Sequence, residues 1–125
     1  MKERNERREY LRADLNVFIN EESRTARLLA KAVDISERGL AYVMPANAPR
    51  RDQPEVTLEF SLPGEEQAVR ALGRVVYDQE DQHSLGTAIE FTMIGSADAE
   101  RIRQYVGRRK RAELFAKLRD QHLLH

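Results

Sequence analysis

Over most of the first 95 positions apolar and polar residues alternate, the pattern of strands with one buried face. The chain opens with a polar stretch that has no period up to Arg12, after which Leu15, Val17 and Ile19 alternate with polar neighbours. Thr25 to Ile35 reads as a second strand, with Leu29 and Val33 among its apolar members. Ser36-Glu37-Arg38-Gly39 is a turn, and Leu40 to Met44 a short third strand. Pro45 to Pro54 holds three prolines and an asparagine and is expected to be a loop. Val56, Leu58, Phe60 and Leu62 give the clearest alternation, closed by Pro63-Gly64. Val69 to Tyr77 and Leu85 to Met93 complete a set of six strands, separated from each other by an acidic segment, DQEDQH.

After Gly95 the period changes. Ser96 or Asp98 can cap a helix whose early apolar face is Ile102, Tyr105 and Val106, spaced i, i+3, i+4. Leu114, Phe115 and Leu118 extend an apolar stripe beyond Gly107, where a kink or break is expected. Six short strands followed by one helix predict a mainly β fold: a small six-stranded antiparallel (split) barrel with a C-terminal helix. Residues 1–14 are expected to form a flexible arm, 15–95 the barrel and 96–125 the helix.

Composition bounds this picture. At 125 residues the chain has room for one core. It has no cysteine, its N-terminus is charged from the start, and no apolar run reaches the ~20 residues of a membrane span. A soluble, cytoplasmic protein is therefore expected. The net charge is zero, yet charge is segregated: residues 101 to 119 carry eight basic groups against Glu113 alone. Arginine outnumbers lysine 17 to 4. That bias suits bidentate recognition of phosphate or guanine edges, although base composition of the gene produces it equally well.

No catalytic or metal-binding pattern stands out. His83, His122 and His125 lack partners at ligand spacing, and DQED lacks the glycine and distal glutamate of a calcium loop. Ser36 has no base or oxyanion arrangement that can be named beside it, so the chain is not expected to be an enzyme.

Two short elements carry the functional signal. Arginine pairs at i, i+4 occur three times (Arg4 with Arg8, Arg8 with Arg12, Arg70 with Arg74), so the spacing alone says little. Asp34-Ile35-Ser36-Glu37-Arg38-Gly39, a DxSxxG string between two strands, is by itself an ordinary hairpin, with Asp and Ser closing the turn and Gly accepting positive φ. In order, however, RRxxxR at Arg7, Arg8 and Arg12, then a strand, then DxSxxG, then further strands and a helix, the chain resembles the PilZ family of cyclic di-GMP receptors. Leu85-Gly86-Thr87-Ala88-Ile89-Glu90-Phe91 is similar to the glycine-then-aromatic strand of those domains. The likeness spans residue 7 to about residue 110 and leaves out the last helical turns.

The resemblance implies a cyclic di-GMP site made of Arg7, Arg8, Arg12, Asp34, Ser36 and Gly39, with Arg38 and Gly86 as secondary members. The chemistry agrees. Guanine O6 and N7 and the phosphates accept the arginine fork, and a guanidinium stacks on a purine. A carboxylate accepts from guanine N1 and N2, donors that adenine does not present together. The resemblance further implies two ligands bound as an intercalated dimer, because an arginine at the position of Arg7 tends to accompany that form. No cofactor, metal or membrane is expected. The expected mechanism is an arm that changes conformation on binding and signals to a partner protein. A PilZ-like scaffold that binds only protein, and a nucleic-acid module gripping phosphates through Arg108-Arg109-Lys110-Arg111, are the alternatives. The stripe at Leu114, Phe115 and Leu118 packs on a second copy, on a partner, or back over the barrel.

Overall fold

The computed structural model describes residues 10–123. Among these residues seven strands precede one helix: β1 (Ala13–Asp14), β2 (Phe18–Glu22), β3 (Arg27–Ser36), β4 (Gly39–Pro45), β5 (Glu55–Phe60), β6 (Val69–Glu80), β7 (Ser84–Ile94) and α1 (Ser96–Leu123). All pairings are antiparallel. The sheet runs β3-β2-β5-β6-β7-β4 and closes on itself through β3–β4, while β1 adds to the far end of β3. The fold is thus mainly β, a closed six-stranded barrel with one extra short strand and a C-terminal helix. Closure leaves only short edges unpaired.

The period-two pattern fills the barrel. Leu40, Tyr42 and Met44 of β4, Val56, Leu58 and Phe60 of β5, and Leu85 and Ile89 of β7 are buried. Ile102, Tyr105 and Val106 of α1 join the same core. Tyr105 donates its hydroxyl to the Asp14 carbonyl at 2.7 Å, fastening helix to β1. Asp98 lies in the first helical turn, where the macrodipole favours a carboxylate.

Two expectations are corrected. The helix does not break at Gly107 but continues to Leu123. Glycine in a helix costs about 1 kcal/mol relative to alanine yet keeps its N–H, so it weakens the hydrogen-bond ladder without interrupting it. Gly39 does not have positive φ; among the described residues only Gly64 does, at 79°. Gly39 is required for a different reason: it pairs with Glu90, and a Cβ there would lie 1.9 Å from the Ile89 carbonyl oxygen. Close approach of two strand backbones, not turn geometry, selects the glycine.

Candidate functional site

Two β-bulges decide which residues reach the outer face of the barrel. On β3, Ala32 pairs with Tyr42 but Asp34 with Ala41, leaving Val33 as the extra residue. Strict alternation from buried Ala30 and Ala32 would send Asp34 inside; the bulge turns it out. On β6, Val75 pairs with Ile89 and Tyr77 with Ala88, so Val76 is extra. Tyr77 is thereby turned outward and Asp78 toward Thr87. The result is a row on the outer face, Asp34–Ala41–Ala88–Tyr77, spanning three strand spacings or about 14 Å. It runs through an open groove of about 460 Å³, whose lining includes Val33, Asp34, Val43, Tyr77, Gln79 and Gly86. Gly86 pairs with Val43 on one side and Gln79 on the other, and a Cβ there would be 3.6 Å from the Gln79 carbonyl, an ordinary contact. Alanines and a glycine leave the groove floor flat, with an acid at one end and an exposed aromatic ring at the other.

The arm meets this groove at its acidic end. Arg12 donates to Asp34 Oδ1 at 2.8 Å. Ala13 and Asp14 pair with Ile35 and Asp34, which holds the backbone beside the turn. Tyr10 receives a hydrogen bond from Arg38 at 3.2 Å, with the guanidinium 4.9 Å from the ring centroid. Within the turn itself, buried Ser36 accepts the Arg38 backbone N–H at 3.1 Å. The Arg38 carbonyl in turn accepts from the Phe91 N–H at 2.8 Å. Glu37 accepts from Arg103 of α1 at 3.1 Å. The turn therefore reaches the arm through Arg38 and the helix through Glu37.

Of the residues expected at the site, the structure brings together Arg12, Asp34 and, one turn away, Ser36, Arg38 and Gly39. Gly86 lines the same groove. Arg7 and Arg8 lie outside the described residues. Ser36 is buried, and its Oγ accepts the Arg38 N–H within the turn.

Sequence reasoning missed a buried polar cluster beneath the groove. Glu21 is fully buried inside the barrel. Its Oε1 accepts from the Tyr42 hydroxyl and from Arg51 Nε and Nη2, the latter two at 3.0 and 2.7 Å. Arg51 also donates to Asp78 at 3.0 Å and to Thr87 Oγ1 at 3.1 Å, and Thr87 donates to Asp78 at 2.7 Å. Burial, followed by the Glu21 charge and its hydrogen bond, pushes the Tyr42 hydroxyl well above the ordinary tyrosine range. Burial works against the Arg51 charge, but the hydrogen bonds and charge of Glu21 outweigh it and hold the guanidinium protonated. Glu21 Oε2 is buried without a partner. A signal existed: Glu21 shares the parity of Ile19, and Thr87 that of Leu85 and Ile89. Arg51 carried none, because loop residues have no period.

Among the described residues there is no group of three or more His, Cys, Asp or Glu that could hold a metal ion, and no helix long and apolar enough to cross a membrane.

Comparison with known proteins bears on this geometry. The model of the PilZ domain matches residues 4–108. The inhibitor of motility MotI/DgrA of Bacillus subtilis has a similar structure, with TM-score 0.71 and 21% identity over 81% of this chain and 50% of that one. The PilZ domain of YcgR from Escherichia coli, solved with c-di-GMP, has TM-score 0.70 and 13% identity over 86% of this chain and 94% of that one. PlzA of Borreliella burgdorferi, in complex with c-di-GMP, has TM-score 0.62 and 9% identity over 82% and 47%. The chain thus spans about half the length of the Bacillus and Borreliella proteins. No curated protein matches the sequence.

Proposed function

The chain belongs to the PilZ domain family, and on that premise we propose that it is a non-catalytic receptor for cyclic di-GMP. The dinucleotide lies between the arginine arm and the groove that runs from Asp34 to Tyr77. The observation that carries this reading is the meeting of Arg12 and Asp34 at the groove's rim. It joins a group that recognises phosphate and the guanine O6/N7 edge to one that recognises guanine N1 and N2. The neighbours solved with c-di-GMP support the same ligand class.

Without ligand, Arg12 and Asp34 satisfy each other. On binding, Arg12 exchanges the carboxylate for phosphate or guanine acceptors, and Asp34 becomes free to accept from a base. Arg7 and Arg8 neutralise the remaining phosphate charge. Tyr77 offers a ring face on which a purine can stack. Movement of the arm then reaches the helix along two contacts, Tyr105 to Asp14 and Arg103 to Glu37. A partner protein reads the altered surface.

Titration calorimetry with cyclic di-GMP, with GTP as control, tests this. Loss of a charge-assisted contact in Arg8→Ala or Arg12→Ala should weaken binding by about 2 to 3 kcal/mol each, with Arg70→Ala nearly silent. Unchanged affinity in both arm variants, or salt-sensitive binding of random oligonucleotides without any response to the dinucleotide, overturns the assignment.

A further inference from the structure

The outer half of α1 has an apolar face unrelated to the barrel. Ile102, Tyr105 and Val106 are buried against the core. At about 100° per residue, Leu114, Phe115 and Leu118 emerge on the opposite side of the helix, roughly 180° round. They are 54%, 61% and 50% exposed. The stripe does not fold back over the barrel, and it lies beyond residue 108, where the match to the family's domain ends.

Charge around the stripe is one-sided. On the same helical count Arg111 falls on the stripe, between Leu114 and Phe115, while Arg108 and Arg119 on one edge and Lys110 on the other fall within about 90° of its axis. Glu113 and Asp120 fall on the barrel-facing side, and Glu113 is engaged by Lys110 at 3.3 Å. A narrow apolar seam with an arginine rim is complementary to a seam with a carboxylate rim.

We propose that this face docks an acidic amphipathic helical segment of a partner protein. The partner's aliphatic side chains seat on Leu114, Phe115 and Leu118, and its carboxylates meet Arg108, Arg111 and Arg119. A second copy of this chain is disfavoured, since both edges of the stripe are basic and either orientation of a symmetric pair sets like charge against like charge. A lipid surface is disfavoured by width: three side chains on one seam fall short of the broad apolar face of interfacial helices. The proposal supplies the chemistry of the partner that the receptor reading leaves open. Its test uses no nucleotide, so either can fail without the other.

The test is selection of binders from a display library of helical peptides with random flanking charges, against the full chain. Enriched peptides should carry an aliphatic seam flanked by Asp and Glu. Their affinity should fall at least tenfold for Leu114→Ser/Leu118→Ser and for Arg111→Glu/Arg119→Glu, while Arg111→Lys/Arg119→Lys stays within threefold. Circular dichroism checks that these exposed substitutions leave the fold intact. Neutral or basic peptides, no enrichment, or binding indifferent to both disruptive variants overturns the proposal. So does stripe-dependent binding to vesicles containing 30% phosphatidylglycerol. Stripe-dependent doubling of mass in sedimentation velocity would assign the face to a second copy instead.

Discussion

Arg12 and Asp34, 22 positions apart, are joined by a 2.8 Å hydrogen-bonded ion pair at the edge of the outer groove. The pair is partly exposed, so it contributes no more than about 1 kcal/mol to stability. Asp34→Ala should therefore leave thermal unfolding nearly unchanged. On the proposal that its carboxylate reads guanine donors, the variant should weaken cyclic di-GMP binding and reduce discrimination against cyclic di-AMP. Full discrimination in the variant, measured by competition titration, excludes Asp34 from base recognition.

Ser36 and Gly39 act through the turn. Ser36→Ala removes the acceptor of the Arg38 N–H inside a buried site, and should lower stability by about 1 kcal/mol or more together with affinity. Gly39→Ala forces a methyl against the Ile89 carbonyl and should cost more than about 2 kcal/mol in denaturant unfolding. Gly86→Ala, with ordinary contacts, should keep its stability and lose affinity only.

The buried cluster predicts an alkaline limit. Tyr42 has a raised pKa when folded, so its contribution is present below the unfolded value of about 10 and is lost as pH rises above it. Unfolding free energy measured from pH 8 to 11 should fall beyond pH 10, and Tyr42→Phe should flatten that fall while lowering stability near neutrality. Arg51→Ala strands the buried Glu21 carboxylate and should cost about 3 to 5 kcal/mol. An equally steep alkaline loss in Tyr42→Phe would remove Tyr42 as its source.

Arg7 adds a third guanidinium to the arm. Two stacked ligands bring four phosphates, and a third fork helps neutralise them. Titration should saturate at two nucleotides per chain and fall toward one in Arg7→Leu. Saturation at one for the unaltered chain refutes the dimeric ligand.

The order of the six barrel strands and the helix, the burial of Val56, Leu58 and Phe60, and the two motifs were legible in the sequence, because period and turn chemistry act over a few residues. The two-residue β1, too short to show a period, was not. Nor could the sequence show that Asp34 and Tyr77 face outward. Each follows a bulge, and a bulge exists only relative to the partner strand's register. Gly39 was legible as a required glycine, but its cause, the Ile89 carbonyl, lies 50 residues away. The Glu21–Arg51 pair and the outward face of Leu114, Phe115 and Leu118 were decided in three dimensions for the same reason. A charged side chain in a loop and an apolar one on a helix take their meaning from what closure of the barrel sets beside them, or leaves uncovered.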